Sequence, residues 1–190
     1  ATRKPSYALA GLACGSLAAV VAYKLVELLF RRAKLPPEEK QELLDEFLQL
    51  AAVATVCDVM ELLDENRIIV KEGLKRLNTK PCRGMRALMQ VNGIEPKDLT
   101  SYHLGFVVGP CLNATGRLDT AKRALELLAA ADDRMAYTVA CELKEMNDSR
   151  KAMTLSGLEQ AVSLVEEGQG REDKVLVVFL PDCHESLAGI

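Results

Sequence analysis

Residues 51–77 read AAVATVCDVMELLDENRIIVKEGLKRL and contain the end of one helix and most of another. The first helix is predicted to start near Glu38 with polar and acidic residues and to become apolar from Leu48 to Val56, so that it passes from the surface into the core. The second is predicted over 67–77, with apolar residues at helical spacing. Two apolar helices in succession predict a core built from helices.

Further helical patterns flank this stretch on both sides. The predicted helices cover 8–32, 81–91, 96–108, 119 or 120 to 131, and 132 or 133 to 167. Gly109-Pro110 should end the helix over 96–108, and 111–118 should form a loop. The 132–167 helix would span roughly 50 Å, which favours a connector between two domains. The run VLVVFL within 174–180 predicts a short buried strand. The expected fold class is therefore mainly α with a little β.

Composition limits the function classes. The chain has 190 residues and a net charge of −3, which argues against a protein whose whole surface binds nucleic acid but allows a local basic groove. The six cysteines have no CxxC-like spacing, which excludes zinc ribbons and thioredoxin-like motifs. Free cysteines predict a reducing, cytoplasmic location.

The N-terminal region imitates an export signal. Arg3 and Lys4 precede small apolar residues from Tyr7 to Tyr23, a run at the short limit for a membrane span. The run is rich in Gly, Ala and Ser, and Lys24 continues the helical pattern, so we predict a buried helix without membrane contact. A first residue of Ala and an abrupt end after Ile190 lead us to expect a piece of a longer protein.

Asp58 follows a run of apolar residues that should be buried. An ionised carboxylate in such a place is costly unless it meets a cation, hydrogen-bond donors or a metal. The structural alternative is a helix N-cap or a buried salt bridge with Arg67. The residues alone favour that alternative.

The stretch GPCLNATGRL, residues 109–118, combines several features of a phosphate site. Asn113 offers a donor and an acceptor, Gly116 allows close approach of a ligand, and Arg117 can bind a phosphate with two hydrogen bonds. The helix expected to start at Asp119 or Thr120 would favour an anion at its N-terminus. An ordinary loop between helices explains the same residues equally well.

His184 comes directly after the predicted strand, where α/β sheets bind ligands. A lone histidine is nevertheless more often structural. His103 lies inside a helical pattern and receives no role. No GxGxxG, Walker, HExxH or GxSxG motif occurs in the chain.

Taken in order, these segments resemble the RecJ-type single-strand-specific exonucleases of the DHH phosphoesterase superfamily. The 51–77 stretch resembles the family's fourth motif, and GPCLNATGRL resembles its GPRLNAxGRL. ELKEMNDSRK resembles the start of its long linking helix, and VLVVFLPDCHESLAG resembles the beginning of the DHH-associated domain. GLACGSLAAVVAYKLVELL resembles the helix after the Asp-His-His motif. The collinear order covers essentially the whole chain.

The resemblance implies a 5′–3′ exonuclease that hydrolyses phosphodiester bonds of single-stranded DNA in recombination and repair. It implies two divalent ions, manganese or magnesium, with Asp58 as one metal ligand. Asn113, Gly116 and Arg117 would hold substrate phosphate, and His184 would face the active site. The implied partners are single-stranded DNA and a single-strand-binding protein or helicase, with no membrane.

The resemblance also implies a division of the chain. Residues 1–131 would be the C-terminal part of a DHH domain with an α/β parent fold, 132–168 the connecting helix and 169–190 the start of the DHH-associated domain. The family's earlier aspartates and its Asp-His-His triplet are missing, Cys111 replaces an expected arginine, and Glu185-Ser186 departs from the usual step after the histidine. We therefore expect these 190 residues alone to be inactive.

Three alternatives remain open. The first is a DHH phosphodiesterase that acts on short oligonucleotides or cyclic dinucleotides, although the long connector favours the exonuclease. The second is an inactive RecJ-like scaffold module. The third is a plain helical domain without a site.

Overall fold

The computed structural model describes residues 18–118, 122–168, 175–181 and 183, with the backbone alone at 115–118. Within these ranges the fold is helical. The helices are α1 Ala18–Arg32, α2 Pro37–Cys57, α3 Asp64–Thr79, α4 Arg83–Val91, α5 Ser101–His103, α6 Gly109–Leu118, α7 Lys122–Leu128 and α8 Asp133–Glu167, with a π-helical segment, Leu104–Val108, between α5 and α6. The helices predicted from apolar spacing are confirmed, with some ends shifted. The part of the first predicted helix before Ala18 lies outside the described residues.

Two apolar clusters hold the helices together. The smaller joins α1, α2 and α3 through Val20, Leu48, Ala51, Ala52 and Ile69. The larger draws on α2, α3, α4, the 101–118 helix, α7 and the first half of α8. Its fully buried members include Leu77, Met85, Leu88, Leu104, Val108, Leu127 and Leu143. The apolar spacing of each helix therefore determines which of its faces turns inward.

A buried glutamine connects the two clusters to the loop after α3. Gln49 lies within the apolar half of α2 and is 2% exposed. Its amide nitrogen donates to the Lys80 carbonyl at 3.1 Å, and its amide oxygen accepts from the Cys82 backbone N–H at 2.8 Å. Because both ends of the side chain are satisfied, burial of Gln49 costs little and holds the connection between α3 and α4 against α2.

The predicted break at Gly109-Pro110 and the predicted loop over 111–118 are both wrong. The chain runs as one continuous helical path from Ser101 to Leu118, because residues 104–108 widen into a π turn. The Gly109 N–H donates to the Leu104 carbonyl, five residues earlier. Proline lacks an N–H and collides with the carbonyl four residues before it in a regular α-helix. A wider turn directly before Pro110 is one way in which helices accommodate such an irregularity.

The long helix α8 has two different halves. The Asp132 side chain caps its start by accepting from the Met135 N–H at 2.7 Å. Its buried residues all fall between Ala136 and Asn147. Beyond them, large apolar side chains are exposed: Met153, Leu155, Leu158, Val162 and Leu164. The predicted helix is confirmed, and its role as a connector between domains stays a prediction.

The predicted strand over 174–180 is not confirmed. Residues 175–181 form no strand among the described residues, and Val177 and Phe179 are 91% and 81% exposed. An apolar sequence becomes a strand only when a neighbouring strand accepts its backbone hydrogen bonds, and the described residues provide none. Among the described helices, none is both long enough and apolar enough to cross a membrane.

Two glycine substitutions are predicted to change the stability in opposite directions, one at the contact between α2 and α3 and one on α8. A Cβ at Gly73 would lie 2.3 Å from the Ala52 Cβ and 3.1 Å from the Leu48 carbonyl oxygen. Gly73→Ala should therefore lower the free energy of unfolding by about 1–3 kcal/mol. At Gly157, inside α8, the nearest atom is the Cys183 sulfur at 3.6 Å. Gly157→Ala should raise the free energy of unfolding by about 0.5–1 kcal/mol, because alanine has a higher helix propensity than glycine. Urea unfolding followed by circular dichroism measures both, and effects of the same sign would contradict the packing.

Candidate metal and phosphate site

Asp58 lies at the C-terminal end of α2 and is exposed, so the predicted burial of its carboxylate is wrong. Thr55 is the last fully buried residue of α2, Val56 and Cys57 are partly buried against the larger cluster, and the chain then turns at the surface. Three backbone hydrogen bonds close this turn, from the N–H groups of Asp58, Val59 and Met60 to carbonyls between Ala54 and Val56. The carboxylate is therefore presented to solvent and available to a ligand.

The turn that carries Asp58 is strained. Val59 has a φ of 54°, a conformation that costs a β-branched residue roughly 1–2 kcal/mol. Its side chain is 89% exposed, so side-chain packing does not compensate for the strain. Strained backbone is found preferentially at functional sites, where the surrounding structure holds it. The strain is the first structural feature that distinguishes Asp58 from an ordinary surface aspartate.

The structural explanations for Asp58 are wrong. Asp58 follows the last residue of α2 and is not an N-cap. Arg67 is exposed, and no ion pair between the two side chains exists. Among the residues that the structure describes, no cation lies within ion-pair distance of Asp58.

The end of α2 packs directly on the start of α6. A Cβ at Gly109 would lie 2.4 Å from the Cys57 sulfur and 2.7 Å from the Leu104 carbonyl oxygen, so a glycine is required for this approach. The Cys57 thiol donates to the same Leu104 carbonyl at 3.6 Å. Gly109 therefore lies against the residue that precedes Asp58, and the two sequence motifs meet there.

The residues predicted to bind phosphate share one face of α6. Positions 113 and 116 follow Gly109 by four and seven residues, which is the spacing of one helix face, and position 117 adjoins it. Asn113 is exposed. At Gly116 and Arg117 only the backbone is described, and both lie in the helix and not in a loop. His184 lies outside the described residues, as does the helix start predicted at 119 or 120.

Cys111 faces the opposite side of α6 and is fully buried. Its thiol donates to the Val107 carbonyl at 3.2 Å, and its sulfur accepts from the side-chain amides of Asn92 at 3.8 Å and Asn147 at 3.6 Å. Burial raises the pKa of this thiol. Cys111 is thus a core residue.

Asn147 and Arg150 on α8 were missed by the sequence analysis. Asn147 is 1% exposed, and its amide oxygen accepts from both the Nε and the Nη2 of Arg150, at 3.2 and 3.1 Å. No carboxylate among the described residues pairs with Arg150. The buried amide therefore links α6, through Cys111, to a fixed guanidinium. The sequence signal for this pair is the spacing of three residues between Asn147 and Arg150, which places both side chains on one face of the helix.

A complete metal centre is not formed within the described residues. No three side chains of the His, Cys, Asp or Glu type converge there. Asp58 supplies the hard oxygen donor that manganese and magnesium prefer, and no lysine or arginine of the described part of the chain pairs with it. It fits a metal as one ligand, so a metal at this position would need further ligands from elsewhere.

The reactivity of the Cys57 thiol provides a test of the negative charge beside it. Burial, and secondarily the negative charge of Asp58, raise the pKa of the Cys57 thiol to about 11. Since the thiolate is the reactive form, Cys57 should be alkylated slowly at pH 8 in the presence of EDTA. Asp58→Asn removes the negative charge, lowers the pKa of Cys57 and should accelerate its alkylation.

The rate is measured by mass spectrometry of iodoacetamide-treated peptides. Glu61→Gln, which removes an exposed charge in the same segment, is the control and should leave the rate of Cys57 nearly unchanged. An equal rate in wild type and Asp58→Asn would show that Asp58 does not influence this thiol.

Comparison with known proteins covers most of the chain, although no protein-family model matches it. The single-stranded-DNA-specific exonuclease RecJ of Dickeya dadantii is 36% identical over 151 residues, 77% of this chain and 26% of the relative. The RecJ of Haemophilus influenzae is 32% identical over 194 residues, 98% of this chain and 34% of the relative. The chain therefore spans only about a quarter to a third of the length of these two relatives.

The fold of the chain is also similar to that of solved RecJ structures. Exonuclease RecJ bound to manganese matches with a TM-score of 0.72 and 31% identity, over 89% of this chain and 40% of that one. RecJ of Thermus thermophilus in complex with Mg²⁺ matches with a TM-score of 0.69 and 31% identity, over 85% of this chain and 24% of that one. With both sequence and fold shared over most of its length, this chain belongs to the RecJ family.

Proposed function

We propose that this chain is part of a metal-dependent 5′–3′ exonuclease that hydrolyses phosphodiester bonds of single-stranded DNA. The relatives are single-stranded-DNA-specific exonucleases. The proposal for these residues is supported by the contact of Cys57 with Gly109, because that contact brings the residue before Asp58 against the start of α6, the helix that bears Asn113. A carboxylate next to a polar helix face suits a metal that engages a phosphate.

Asp58 would serve as one ligand of a divalent ion. We propose manganese or magnesium, because the related RecJ structures contain these ions. Such an ion supplies a nucleophilic water at neutral pH and polarises the phosphate that is cut.

The α6 face would bind and orient the phosphate. Asn113 can donate a hydrogen bond to a phosphate oxygen, and the arginine at position 117 can donate two. Gly116 leaves room for the backbone of the strand to approach. The continuity of the 101–118 helix and the packing of its inward face in the core support a fixed placement of these positions.

Other parts of the assignment are proposals as well. His184 would contribute from the DHH-associated domain, and the domain limits at 131 and 168 would separate the two units. We propose that the 190 residues alone do not cut DNA, because a single carboxylate cannot hold two ions. A role in recombination and repair, a cytoplasmic location, and a single-strand-binding protein or helicase as partner complete the proposal.

Removal of the Asp58 carboxylate is the direct test in the intact exonuclease. Asp58→Asn should lower kcat by at least about a thousandfold, roughly 4 kcal/mol, and weaken manganese binding in calorimetry. The melting temperature should not change, because the carboxylate accepts no side-chain hydrogen bond from the described residues. Glu61→Gln is the matched control. Near-normal activity of Asp58→Asn would remove this residue from the site.

The phosphate face predicts a different kinetic pattern. Arg117→Ala and Asn113→Ala should each raise KM for a 5′-phosphorylated strand, and loss of the arginine should weaken binding by about tenfold to a hundredfold. Lys122→Ala, on the exposed start of α7, is the control. Unchanged KM in both variants would contradict the assignment.

A substrate-length series separates an exonuclease from a phosphodiesterase of short oligonucleotides, and an intact protein without any hydrolysis would favour the scaffold.

A further inference from the structure

Two aromatic rings are exposed on the helix that leads into the phosphate face. Tyr102 and Phe106 are 63% and 68% exposed. Their rings stack on each other with centroids 5.0 Å apart and an interplanar angle of 29°. Burying such a side chain would gain roughly 2 kcal/mol or more, so a stacked exposed pair indicates a surface that binds something.

The pair stands on a rigid element. Thr100 and His103 form a capping box at the start of α5: the Thr100 N–H donates to the His103 Nδ1 at 3.1 Å. The Tyr102 ring also meets the His103 ring edge to face at 5.9 Å. His103, to which the sequence analysis gave no role, therefore fixes the first turn of the helix that carries both rings.

The rings lie on the same continuous helix as the proposed phosphate residues. Positions 102, 106 and 113 along the 101–118 helix are all exposed, and the partly exposed Pro110 lies between them. The two rings and Asn113 are therefore carried by one helix.

We infer that Tyr102 and Phe106 form a stacking platform for the unpaired bases of a single strand whose phosphate lies on the α6 face. The inference rests on the proposed function and adds a base-binding site to it. Aromatic side chains bind single strands through base stacking with little sequence preference. In a duplex both faces of each base are covered by neighbours, so this platform favours single-stranded substrates.

Binding in EDTA tests the platform separately from hydrolysis. Fluorescence anisotropy of the intact protein with a labelled, 5′-phosphorylated oligothymidylate should show a loss of affinity of about tenfold or more for the variant with both Tyr102→Ala and Phe106→Ala. For a strand of equal length with abasic sites at the positions nearest the 5′ end, wild type and variant should bind equally. A variant with leucine at both positions should lose affinity like the alanine variant, because stacking requires the ring.

Leu125→Ala, an exposed apolar residue on α7, is the matched control and should bind like wild type. Equal losses on the abasic and the normal strand, or full retention of binding in the alanine variant, would overturn the platform. A melting temperature of the double alanine variant several degrees below that of wild type, or a different oligomeric state of this variant, would also overturn the platform. Either result would mean that other protein surfaces cover the two rings. If the base-dependent loss occurs while Asp58→Asn keeps full activity, the platform stands and the proposed metal role fails.

Discussion

The contact between the Cys57 thiol and the backbone of Gly109 is the constraint on which the site depends. No side chain larger than hydrogen fits at position 109, because a Cβ would meet the sulfur and the Leu104 carbonyl together. This contact joins the end of α2 to the 101–118 helix. It brings the residue before Asp58 against the first residue of α6, the helix that carries Asn113.

The π turn over 104–108 has a comparable effect on the helix itself. It accommodates Pro110 without ending the helix, so that the residues before and after the proline lie on one rigid rod. As a result, a stretch with the composition of a loop presents its polar residues in helical register. Its inward face, with Cys111 and Val108 fully buried, is held by the core, and Asn113 on the other side is exposed.

Buried polar groups connect the elements around this rod. Gln49 satisfies the backbone between α3 and α4, and Asn147 joins the Cys111 sulfur to the guanidinium of Arg150. Each amide is nearly inaccessible, and each has hydrogen-bond partners at both ends. Such groups contribute specificity of arrangement more than net stability, since an alternative packing would leave them unsatisfied.

Local pattern was sufficient for the helices and for the family. The apolar spacing of 37–57, 64–79 and the first half of 133–167 matches the residues that are buried, and the collinear motifs needed no geometry. The pattern failed where a neighbour decides the outcome. Asp58 is exposed because α2 ends at the surface, which its preceding apolar residues do not reveal. GPCLNATGRL is helical because the π turn absorbs the proline, and VLVVFL forms no strand because a strand depends on a partner.

The sequence by itself determined which segments are helical, which of their faces are apolar, and which family the chain resembles, since these follow from the order of side chains along one chain. Only the tertiary structure decided that Asp58 is solvent-exposed on a strained turn, that Cys111 points into the core, and that Tyr102 and Phe106 stack in the open. Those properties arise from contacts between residues far apart in sequence, and a one-dimensional pattern does not encode the distance between them.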